Sequence, residues 1–205
     1  MLLRNLLRIV HSYKFSIFVI IFFEILYILK GYKGNNFKIT TDKKMSDNIP
    51  CPYYFLLKIQ KVLKKNNFTK FLDLGSGSGR TIDFFSKNFS NKEFIGIEYF
   101  FEECESSKNL FKKNKNIEII QSDFTKIDFF KFNADCFFLN NPFRSEEETF
   151  SFLNKIADSL QNKKNILFVL VNYNRNTVES VKRIQCIDSY YVSEIKGYSI
   201  CRLDE

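Results

Sequence analysis

FLDLGSGSGR, residues 71–80, sets a short apolar run and an acid directly ahead of three glycines spaced two apart. An apolar run that ends in glycines reads as a buried strand turning into a helix. What the loop lacks narrows its chemistry. A phosphate-binding P-loop requires GxxxxGK[ST], and no such lysine follows. The dinucleotide fingerprint GxGxxG aims helix N–H groups at a pyrophosphate. Here Gly75, Gly77 and Gly79 bring the third glycine one residue early. Asp73 also sets a negative charge beside the loop, which repels a pyrophosphate and suits a ligand with a cationic end, such as an amino group.

Outward from this loop, apolar periodicity alternates between strand and helix. The pattern predicts helices over 53–65, 81–89, 101–114, 145–160 and 177–183, and strands over 68–74, 93–100, 117–123, 135–141, 165–173, 186–192 and 198–203. Ser145 with Glu148 has the spacing of a capping box. NILFVLVNY (165–173) is continuously apolar, as strands buried on both faces are. The last two strands read as a hairpin. The expected fold is therefore α/β, a doubly wound and mostly parallel seven-stranded sheet with an antiparallel last strand.

Four strands end in polar residues at what becomes the carboxyl edge of the sheet, where open α/β sheets bind ligands. The first ends in Asp73 and the loop. The second ends at Glu98, where an acid can accept hydrogen bonds from ribose hydroxyls. The third ends in Asp123–Phe124, an acceptor for an exocyclic amine followed by a ring to pack on a base. The fourth ends in NNPF, residues 140–143. Each residue also has a plainer reading. Asp73 could cap a helix, Glu98 could be a solvated strand end, Asp123 could cap a turn, and NNPF could simply close a strand.

In DLGSGSGR, GIE, QSD and NNPF, taken in that order, residues 49–202 resemble the class I S-adenosylmethionine-dependent methyltransferases. The resemblance implies a seven-stranded Rossmann-like sheet and S-adenosyl-L-methionine as cofactor. It implies that Asp73 and the loop residues Gly75, Ser76, Gly77 and Gly79 hold the methionine part, Glu98 the ribose, and Asp123 with Phe124 the adenine. Tyr53 and Tyr54 fall where such proteins often close over the cofactor. NNPF resembles the [DN]PP[YF] motif of amino-group methyltransferases, with Asn in place of the first Pro. That resemblance gives Asn140, Asn141 and Phe143 the acceptor side, with Asn140 also near the cofactor. Small bacterial-type methyltransferases and membrane-anchored protein lysine methyltransferases share the DLGSGxGR loop.

Charge separates the chain into two parts. Residues 1–44 carry eight Lys or Arg and two acids, net +6, which leaves +2 for the rest. A nearly neutral body argues against nucleic acid as partner, while a basic N-terminus suits an anionic membrane surface. KFSIFVIIFFEILYILK (14–30) is apolar between its end lysines except for Ser16 and Glu24. Its 17 residues are near the lower limit of about 17–25 for a span. Ahead of it, Leu2, Leu3, Leu6, Leu7 and Val10 share a helical face opposite Arg4 and Arg8, as in an interfacial helix. Residues 1–30 are thus expected to be a membrane anchor or transmembrane helix, 31–50 a linker and 51–205 the methyltransferase domain, cytoplasmic but membrane-associated. The alternatives are a buried or oligomerising helix, a signal peptide, or a cytoplasmic protein. Five scattered cysteines read as reduced thiols, no metal-ligand cluster stands out, and the one histidine, His11, lies outside the body. The expected function is methylation of a protein amine or a lipid- or glycan-linked acceptor. The alternatives are a nucleic-acid amino-group methyltransferase and a degenerate cofactor-binding scaffold.

Overall fold

The computed structural model describes residues 16–34 and 49–203 of the 205-residue chain. Its elements are α1 Ser16–Leu29, α2 Tyr53–Leu63, β1 Lys70–Leu74, α3 Arg80–Asn88, β2 Glu93–Glu98, α4 Phe101–Phe111 and β3 Ile117–Gln121. A 3-10 turn Phe129–Phe132 follows, then β4 Cys136–Asn140, α5 Glu146–Ser159, β5 Leu167–Val171, α6 Arg175–Glu179, β6 Ile184–Tyr191 and β7 Gly197–Leu203.

The seven strands form one sheet in the order β3-β2-β1-β4-β5-β7-β6. β1 pairs in parallel with β2 and β4, and β7 runs antiparallel to both β5 and β6. The expected fold class is observed, and β7 is the antiparallel strand, inserted between β5 and β6. Alternation within the strands divides the core by sheet face. Leu72, Leu74, Phe137, Leu139, Phe168 and Leu170 face α5, while Phe71, Cys136, Phe138 and Val169 face α2 and α3. Phenylalanine fills much of both layers. Phe71 meets Phe85 at 5.2 Å and Phe94 at 5.7 Å, tilted ring pairs of the favoured kind.

The differences from the expected elements lie at ends and in short pieces. The helix expected over 177–183 is α6, which starts earlier and ends at Glu179. FFKF (129–132) forms the 3-10 turn, capped by Asp128, whose carboxylate accepts from Phe130 N. Ser145 caps α5 by accepting from Glu148 N at 3.3 Å.

The expected membrane span is not found among the described residues. No helix among the described residues is long and apolar enough to cross a membrane. One side of α1 is also taken up by the domain. Ile17 and Ile20 are buried, Phe23 stacks on Tyr54 at 5.7 Å, and Tyr27 stacks on Tyr53 at 5.0 Å. The opposite side exposes Phe18, Phe22, Ile25 and Leu29, the first 72% and the last 79% exposed. The amphipathic pattern read in residues 2–10 lies outside the described residues, as do 35–48 of the expected linker.

Candidate active site

β1 delivers Asp73 to the carboxyl edge one residue before its end. β1 pairs with β2 and β4 on either side there, and Asp73 is 2% exposed. The glycine loop then folds back. Gly75 N and Ser76 N both donate to Ile97 O of β2, at 2.9 and 3.0 Å. Gly75, Gly77 and Gly79 all take positive φ. That explains glycine at each position, because side chains destabilise this backbone region. A Cβ on Gly79 would also stand 2.6 Å from the Phe111 ring and 2.7 Å from Ser107 Oγ.

Glu98 closes the arrangement from β2. One carboxylate oxygen accepts Gly77 N–H at 2.7 Å and the other Phe100 N–H at 2.8 Å. Burial raises this carboxyl above its ordinary range, against the lowering effect of those backbone N–H groups. Asp73 is raised further, first by burial and then by the charge of Glu98. Its Oδ2 has no hydrogen-bond partner, and neither has Ser76 Oγ. Both residues line a recess with Gly75, Cys51, Arg80 and Asn140. Buried acceptors without partners are costly in a folded protein, and they mark a place suited to a donor-bearing ligand.

Asp123 lies past the end of β3, beside a cleft of about 610 Å3 that it shares with Tyr99, Lys126, Phe143 and Phe152. It accepts from Thr125 N at 3.0 Å and Thr125 Oγ1 at 2.6 Å, and pairs with Lys126 at 3.0 Å. Burial pushes its carboxyl up, but these bonds outweigh it and hold the group below the usual range. The turn cap is therefore real, and the carboxylate still borders the cleft. Phe124 is buried in contact with Phe143 and Phe152, at ring distances of 5.8 and 5.3 Å. Its edge also approaches Gly75, where a Cβ would lie 3.9 Å away. Recess, Glu98 and cleft thus follow one another along β1, β2 and β3.

At the end of β4, Asn140 is engaged at both ends of its amide. Its Nδ2 donates to Ile49 O at 2.7 Å, and its Oδ1 accepts from Asn172 Nδ2 at 2.8 Å. Asn141 takes φ 37°, which turns the chain away from the strand. Two residues at this edge escaped the sequence reading. Tyr99, directly after Glu98, lines the cleft and is 45% exposed. Asn172 follows β5 as Asn141 follows β4, is 7% exposed, and leaves its Oδ1 unpartnered. The available signal for Asn172 was its place at the end of a wholly apolar strand. Tyr53, fully buried, and Tyr54, half-buried, pack between α1 and the domain.

Residues 71–163 match a family profile described as a methyltransferase domain. No curated protein matches the chain in sequence. An RNA methyltransferase from Salinibacter ruber, in complex with S-adenosyl-L-homocysteine, superposes with TM-score 0.61 at 15% identity, over 77% of this chain and 95% of its own. An N,N-8-amino-8-demethyl-D-riboflavin dimethyltransferase from Streptomyces davawensis gives TM-score 0.59 at 11% identity, over 73% of this chain and 54% of its own. Human N-acetylserotonin methyltransferase in complex with S-adenosylmethionine gives 0.55 at 14%, over 74% and 55%. The chain spans about half the length of the last two. At these identities the likeness is one of fold, and the match to a methyltransferase domain runs from β1 to just beyond α5.

Proposed function

We propose that the protein is an S-adenosylmethionine-dependent methyltransferase acting at a membrane surface, on a protein amine or on a lipid- or glycan-linked acceptor. The observation that carries the cofactor reading is the buried, unpartnered Asp73 Oδ2, one strand from a Glu98 that grips the glycine loop. A carboxylate so placed fits the ammonium of the methionine end. Glu98 retains lone pairs for ribose hydroxyls, and Tyr99 with Asp123 borders the space for adenine. When bound, the cofactor supplies a methyl group on a sulfonium. The protein's part in such an in-line displacement is positioning and exclusion of water. Asn140, held by Ile49 O and Asn172, offers a fixed carbonyl oxygen toward an acceptor amine. Tyr173, beside Asn172, has its phenol raised well above its ordinary value by burial, so it stays protonated.

The membrane reading is supported by the exposed apolar side of α1 and by the +6 charge of residues 1–44. Helices that lie in an interface combine these two features. The fold does not select the acceptor, since the neighbours' names cover an RNA, a flavin and N-acetylserotonin. The test is transfer of labelled methyl from S-adenosylmethionine into a cell extract, followed by separation into protein, lipid, glycan and nucleic acid. Label in the first three classes is the expected result. Label in nucleic acid alone would overturn the acceptor reading, and no label in any class would overturn the enzymatic one.

A further inference from the structure

Glu24 lies in the middle of the apolar α1, where a carboxylate facing lipid would be expensive. Both of its oxygens instead bind the domain. Oε1 accepts from Tyr53 N at 2.8 Å, and Oε2 accepts from Arg80 Nη1 at 2.7 Å. The same Nη1 donates to Cys51 O at 3.2 Å, and the guanidinium lies 4.4 Å over the Tyr53 ring. Arg80 is the first residue of α3, directly after Gly79, and both Arg80 and Cys51 line the Asp73 recess. One carboxylate thus joins the N-terminal helix, the segment 51–53 and the end of the glycine loop.

Other contacts hold the same segment. Lys33 N donates to Asp83 at 2.8 Å, and Lys87 reaches Gly31 O at 3.4 Å. Gly34 lies so close to the Gly79–Arg80 peptide that a Cβ would stand 2.3 Å from Arg80 N. Ile49 O is held by Asn140. Both described ends of the stretch between α1 and α2 therefore rest on the recess, at Gly34 and at Ile49–Cys51.

We propose that Glu24 is a positioning residue of the cofactor site: through Arg80 and Tyr53 N it holds the 49–53 segment as a roof over the Asp73 recess, which makes α1 part of that site. This rests on the cofactor reading above. The roof covers the methionine end and not the adenine cleft, so its loss acts on one half of the ligand. Glu24→Gln keeps the shape and removes the charge. Measured by calorimetry on the full chain, it weakens S-adenosylmethionine about tenfold or more, the worth of one charged hydrogen bond. It leaves 5′-methylthioadenosine, which lacks the amino-acid end, within about twofold. Equal weakening of both ligands would mean general destabilisation and would overturn the inference, as would unchanged or tighter S-adenosylmethionine binding. If Glu24→Gln does not fold, Arg80→Lys, which keeps the charge but loses the planar fork, supports the same comparison. Failure of the unmutated chain to bind S-adenosylmethionine would instead refute the cofactor reading itself.

Discussion

Asp73 and Glu98 are acids held where water does not reach, and their expected behaviour follows from that. The Asp73 carboxyl is raised by burial and by Glu98. Its folded pKa therefore lies above its unfolded value, and its contribution favours the folded state at low pH and is lost as pH rises through the folded value. A cationic ligand reverses this by favouring the ionised form. S-adenosylmethionine affinity should then rise with pH through that range, with proton release on binding. Calorimetry in buffers of different ionisation enthalpy reads this directly, and proton uptake would contradict it. Asp73→Asn should remove the pH dependence, weaken the cofactor about tenfold or more, and leave the ligand-free protein as stable or more so at neutral pH. Glu98→Ala should weaken it about 10- to 100-fold, because both the proposed ribose acceptor and the hold on Gly77 disappear. The placement of these two acids at the sheet edge was legible in the sequence, because residue type and place at a strand end suffice to find it. The engagement of Asn140 was not, because Ile49 and Asn172 are distant along the chain and only the folded sheet edge brings them to it.

The strands and glycine loop were legible because burial imposes a period of two and the left-handed backbone demands glycine. Gly79→Ala tests the second point. It combines a cost of about 1–2 kcal/mol for the backbone with the clash against Phe111 and Ser107. The urea midpoint should fall by an amount worth about 2 kcal/mol or more, and an unchanged midpoint would refute the reading. The N-terminal helix was legible as apolar but not as docked. Hydropathy does not distinguish a face buried on protein from one buried in lipid, and the pairing of Glu24 with Tyr53 N and Arg80 appears only in the fold. Of the helix's two faces, the outer one is exposed, and it is the one proposed to meet a bilayer. Phe18→Glu with Phe22→Glu should abolish flotation of the full chain with vesicles rich in anionic lipid, while leaving S-adenosylmethionine affinity within about twofold. Retained flotation would exclude this face as the membrane contact.

Over the whole molecule, charge and fold give different kinds of information. The class I fold was readable because four motifs recur in order along the chain, each at a strand end. The acceptor was not, because the fold is shared with proteins whose names refer to unrelated acceptors. Charge partition and the apolar side of α1 bias the reading toward a surface, and the roof over Asp73 ties that helix to the site. All of this rests on one binding event. The most direct measurement is calorimetric titration of the full chain with S-adenosylmethionine. One saturable site is predicted, lost in Gly77→Val and weakened in Glu98→Ala. A folded chain that gives no binding heat up to roughly millimolar ligand, a Kd corresponding to about −4 kcal/mol, would contradict it.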